Sequence, residues 1–139
     1  MNNSNLTSEE YRRYSASIRI KNAPNLHDDI SKRLTPSHVH RKGDQRYKEN
    51  TWDNDIWIMK SPLPDETELV EHILWIWEQV KPHVSYFARL KNSGVDIDLF
   101  CKFTTDSDQD GFSIDSRVYE FLYQLQIDIE CSIITLFVD

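Results

Sequence analysis

Glycine is scarce in this chain of 139 residues, which has three, at positions 43, 94 and 111. A glycine-rich loop that cradles a phosphate therefore has no material to be built from. The signatures G-x-S-x-G, G-x-G-x-x-G, H-E-x-x-H and C-x-x-C are missing, as is the Walker A loop. Cysteine is scarce too. Cys101 and Cys131 are too few for a disulfide framework. Both lie among apolar residues of expected strands, so they read as two small buried hydrophobes. No apolar run approaches the roughly 18–20 residues of a membrane span. The opening MNNSNLTSEEYRR lacks the apolar segment of a signal peptide. The expectation is a cytoplasmic protein with free thiols, no membrane and no cofactor. Positive charge is also short. Sixteen Lys and Arg against 23 Asp and Glu leave a net charge of −7. Nucleic acid is thereby disfavoured as a partner, because counterion release rewards a basic domain.

Apolar residues make up 39% of the chain and aromatics 12%, enough for a packed core and against wholesale disorder. Residues 1–10 read as a flexible polar tail, and 11–139 as one domain. Tyr14, Ala16, Ile18 and Ile20 alternate with Ser15, Ser17, Arg19 and Lys21, the period of a half-buried strand. A short helix is expected over 27–34, stopped at Thr35-Pro36. Residues 37–50 read as a hairpin arm or a long loop, and 51–60 as a strand. The longest helix is expected over 65–92, with Pro82 kinking or splitting it. Val95 to Thr104 is the clearest strand, with Val95, Ile97, Leu99, Cys101 and Phe103 on one face. A helix over 116–125, capped by Asp115 or Ser113, and a strand over 127–138 complete the chain. This set packs most cheaply as an α+β fold: a mostly antiparallel sheet of about five strands with two or three helices on one face.

Asp106, Asp108 and Asp110, followed by Gly111, resemble the opening of a calcium loop. The twelfth position of that loop is Arg117 instead of an acid, and a strand precedes it instead of a helix. An acidic, solvated turn is the better reading. His38 and His40 alternate near Asp44 but lack a third metal ligand. The most promising surface is the basic segment 32–48, with six cations and a single acid, Asp44, followed by Trp52 and Trp57. Arg41, Lys42 and Asp44 are its candidate contacts. If Trp52, Ile56 and Ile58 face the helices, Trp57 and Met59 lie on the open side with Asp53 and Asp55. Phe100 joins them there from its own strand. Such an apolar patch marks an interface.

Several runs together resemble a bacterial family, domain of unknown function 4279. They are Ala16-Ser-Ile-Arg-Ile20, Arg41-Lys-Gly-Asp44, Thr51-Trp52, Ser61-Pro-Leu63, Val95-Asp-Ile-Asp-Leu-Phe100 and Gly111-Phe112. The resemblance covers about residues 14–136. It implies a small α+β protein and carries no catalytic residues. Gln126 stands where the resemblance leads one to expect glycine. The functional expectation is a small acidic protein-binding module, most sharply an immunity protein or inhibitor that neutralises a basic toxin. Asp53, Asp55, Asp96, Asp98, Asp106, Asp108 and Asp110 are the acids that would steer it. The alternative is a small-molecule or nucleotide sensor, with Arg41, Lys42 and Arg46 holding an anion and Trp52 stacking on a ring. A monomer or a homodimer fits either reading.

Overall fold

Alternation in the first strand sets the architecture. In a computed structural model of the chain, which describes residues 11–47 and 50–136, β1 (Arg12–Lys21) lies at the centre of a five-stranded sheet. The expected flexible tail, residues 1–10, lies outside the described residues. The strand order is β2-β3-β1-β4-β5, with β2 at His38–His40, β3 at Ile56–Lys60, β4 at Asp96–Thr105 and β5 at Asp128–Thr135. Every neighbouring pair is antiparallel except β4 and β5, which run parallel. That parallel pair needs a crossover, and the last helix supplies it.

Helices cover one face of the sheet. α1 (His27–Ser31) follows β1. α2 (Leu69–Val80) and α3 (Val84–Asn92) occupy the expected long helix. Between them Lys81–His83 forms a single 3-10 turn containing Pro82, because proline donates no N–H to the ladder and crowds the preceding turn. A second 3-10 turn, Ser116–Val118, leads into α4 (Tyr119–Leu125). Asp115 caps the 3-10 turn by accepting from the Arg117 amide at 3.0 Å. Ala16, Ile18, Leu99, Phe103, Ile73, Ile76, Phe87 and Phe121 form the heart of the core. Trp77 stacks on Phe121 with centroids 4.9 Å apart, which joins α2 to α4. The Tyr86 hydroxyl donates to Asp29 at 2.6 Å and joins α3 to α1.

The cross-strand register corrects the expected facing of β3. Ile20 stands opposite Trp57 and Ile18 opposite Met59. Opposed residues share a face, so Trp57 and Met59 point into the helix-covered core, where both are buried. Trp57 donates its indole N–H to Ser31 Oγ at 3.0 Å. Ile56 and Ile58 take the open side. Both parities of this strand are apolar, so alternation could not choose between them. Cys131 is a second correction. Cys101 is buried as expected, but Cys131 is exposed on β5, the edge strand.

Candidate functional site

The uncovered face of the sheet carries a groove of about 370 Å³. Its floor is Ile56 and Ile58 from β3 and Phe100 from β4. Ser15, Ser17 and Arg19 of β1 run along its centre, and Lys60, Lys102 and His38 border it. Register explains the gathering: Ser17 pairs with both Lys60 and Phe100, Arg19 and His38 both pair with Ile58, and Ser15 pairs with Lys102. Arg46 and Trp52 close the far side from outside the sheet. Among the described residues no acidic side chain lines the groove, although the chain holds 23 acids.

The arm that supplies Arg46 and Trp52 is built by the basic segment. The Asp44 carboxylate accepts from the Arg41 amide at 2.7 Å, and the Asp44 amide donates back to the Arg41 carbonyl at 3.0 Å. Gly43 sits at φ +90°, a conformation that glycine adopts without steric cost, and donates to the Trp52 carbonyl at 2.8 Å. The Trp52 amide donates to the Asp44 carbonyl at 2.9 Å, and Gln45 bridges to Thr51. The Lys-Gly-Asp run and the later tryptophan are thus two sides of one hairpin. Trp52 stacks on His40 with centroids 4.3 Å apart, and the Arg46 guanidinium lies 4.3 Å from the Trp52 ring centre. These contacts hold the indole over the sheet. They also mean that the ring already has protein partners before any ligand arrives.

Arg19 is held as firmly. Its guanidinium donates to both Asp98 oxygens, at 2.8 and 2.6 Å, and sits 4.4 Å from the Phe100 ring centre. The hydrogen bonds to Asp98 raise its affinity for its proton further, so it is a fixed cation. Glu130 approaches it at 3.5 Å.

The expected site residues therefore divide. Arg46, Trp52 and Phe100 come together at the groove, and Asp53 lies beside it in an adjoining hollow of about 260 Å³. Arg41 and Lys42 are exposed on the arm but do not line the groove. Arg41 reaches Asp28 at 3.8 Å instead. Trp57 belongs to the core. Asp55 is buried and accepts from the Ala23 amide at 2.9 Å, with His27 Nε2 at 3.1 Å, so it ties the turn after β1 to β3. Asp110 is consumed by a bidentate pair with Arg12 at 2.9 and 2.6 Å and by bonds from Thr105 and Gly111, both at 2.8 Å. Those partners, Arg12 first, hold its carboxyl below the usual range. Asp106 accepts from the Tyr11 amide at 3.3 Å, and Asp108 is exposed. Among the described residues no group of three His, Cys, Asp or Glu is arranged to hold a metal.

Arg19, Lys60 and Lys102 are the groove residues that attention to the basic segment missed. For Arg19 and Lys102 the signal was present in the alternation, since each occupies the polar parity of its strand, whereas Lys60 shares its parity with Ile56 and Ile58. What the alternation lacks is which strands adjoin.

Among the described residues no helix is long and apolar enough to cross a membrane. The model of one family, described as Domain of unknown function (DUF4279), matches residues 10–136. No curated protein and no solved structure matches the chain.

Proposed function

The chain belongs to the DUF4279 family, and we propose that it is a protein-binding module whose contact surface is the open face of its sheet. The observation that carries this reading is the groove's composition: an apolar floor of Ile56, Ile58 and Phe100, with Arg19, Arg46, Lys60 and Lys102 around it and no acid among the described residues. An uncovered apolar surface rimmed by polar groups is what interfaces are made of. The cations select a segment of the partner that offers carboxylates. An immunity protein or inhibitor in the cytoplasm that neutralises a toxin is the form of this reading that size and charge favour. Net charge and groove then have separate parts. The overall −7 draws a basic partner from a distance, and the groove takes that partner's acidic segment at contact.

The alternative, a sensor of a small anionic ligand, draws on the groove's volume, which falls in the range of small-molecule sites. It must do without Arg41 and Lys42, and with a Trp52 ring already stacked.

Charge reversal tests the main reading. Tagged wild type and the double variant Arg46→Glu, Lys102→Glu are used to capture partners from host lysate. Wild type is expected to retain a stoichiometric protein that the variant loses. Equal retention by both would place the interface elsewhere. Retention by neither, together with a thermal shift on adding a small anionic metabolite, would move the assignment to the sensor.

A further inference from the structure

We propose that Cys101 and Cys131 form a reversible redox pair, closing to a disulfide between β4 and β5 when the protein meets a hydroperoxide. The two residues are direct partners in the parallel register of β4 and β5. Opposed residues on neighbouring strands lie about 4.8 Å apart and point to the same face. Disulfides span Cα separations of roughly 4.4–6.8 Å. The two thiols differ in access, since Cys101 is 1% exposed and Cys131 is open to solvent. β5 is the last strand of the sheet and pairs on one side only.

Access dictates the order of steps. The Cys131 thiolate attacks the peroxide, its sulfur–oxygen bond forming as the oxygen–oxygen bond breaks, and hydroxide or alkoxide leaves. The product is a sulfenic acid. The Cys101 sulfur then attacks that sulfur. The new sulfur–sulfur bond replaces the sulfur–oxygen bond, and the departing hydroxide takes the Cys101 proton and leaves as water. Two electrons pass from the sulfurs to the peroxide, and two thiols become one disulfide. Burial pushes the Cys101 thiol up to about 12 and raises Cys131 as well, so both are protonated at neutral pH. Closure is accordingly slow at pH 7 and accelerates with rising pH. The buried position of Cys101 keeps it from the oxidant itself and reserves it for the second step.

The experiment uses the full chain, reduced and then exposed to hydrogen peroxide at pH 7 and pH 9. Remaining thiols are alkylated after unfolding, and the digest is mapped by mass spectrometry. The expected result is joint loss of both thiols in a monomer, a crosslinked peptide pair containing Cys101 and Cys131, faster conversion at pH 9, and full recovery with dithiothreitol. In Cys101→Ala the sulfenic acid at Cys131 should accumulate and become trappable by dimedone, whereas wild type should show little of it. Oxidation confined to Cys131, a dimer linked through Cys131, or no loss of thiol would each overturn the proposal. These readouts come from wild type, so they stand even if the alanine variant folds poorly.

Discussion

At the scale of single residues, His72 is a part whose behaviour depends on solution conditions. His72 lies on α2 at 1% exposure, with Nδ1 2.9 Å from Ser61 Oγ and Nε2 without a hydrogen-bond partner among the described residues. Burial, opposed by backbone contacts from Thr67 and Pro64, lowers its pKa below the ordinary value near 6.5. The unfolded chain then binds this proton more tightly than the folded one, so stability is present above about pH 6.5 and falls as the pH drops below it. Urea unfolding of wild type is expected to show that decline between about pH 7 and 5. His72→Phe, which cannot be protonated, should show a shallower slope. An identical slope in the variant would assign the pH dependence to other groups. Gln126 illustrates legibility at the same scale. Its φ of 54° places it in the left-handed region. The sequence offered the clue, since a glycine belongs naturally at that position after the last helix. By contrast, nothing in the sequence said that Asp55 would be buried against His27, because that contact joins segments separated by a turn, a helix and the whole arm.

Elements were legible in proportion to how one-sided they are. β4 buries a single parity and β1 one apolar parity plus Ser17 from the other, so their apolar sets are read directly. The division of the long helix at Pro82 followed from covalent chemistry alone. The facing of β3 was not legible, because Ile56 and Ile58 are as apolar as Trp57 and Met59. That assignment yields a sharp stability contrast. Trp57→Ala should cost about 3–5 kcal/mol, the range for emptying a large aromatic site in a core. Ile58→Ala, on the half-buried open face, should cost about 1 kcal/mol or less, since much of its surface is wet already. Chemical denaturation of the two variants measures both. The reverse order would mean that β3 is shifted by one residue, which turns every side chain to the other face. The arm was half legible. Its basic and aromatic composition marked it as a surface of interest. Gly43 and Asp44 matter through their backbone geometry, and the groove's remaining cations come from strands far away in sequence.

For the whole molecule, charge is the property that no single element reveals. A chain of net charge −7 presents a groove that no acid lines among the described residues. Acids of the open face, Asp96, Asp98 and Asp128, line a separate hollow beside it, where Asp98 is spent on Arg19. Long-range steering and short-range contact then respond to different variables. Association with a basic partner should slow as salt rises from about 0.05 to 0.5 M, since screening shortens to a few ångströms over that range. Reversing Arg46 and Lys102 should act mainly on the dissociation rate. Stopped-flow mixing with the captured partner separates the two. An association rate indifferent to salt would remove steering from the account. The place of β1 has a consequence of another kind, in the timing of synthesis. It is made first and sits in the middle, with Arg12 opposite Thr105 on one side and Ile20 opposite Trp57 on the other. At roughly 5–20 residues per second, a ribosome needs several seconds to pass from β1 to the end of β4. Throughout that interval the nascent chain holds its central strand with at least one edge unpaired, so the sheet can finish folding only after β4 has been made.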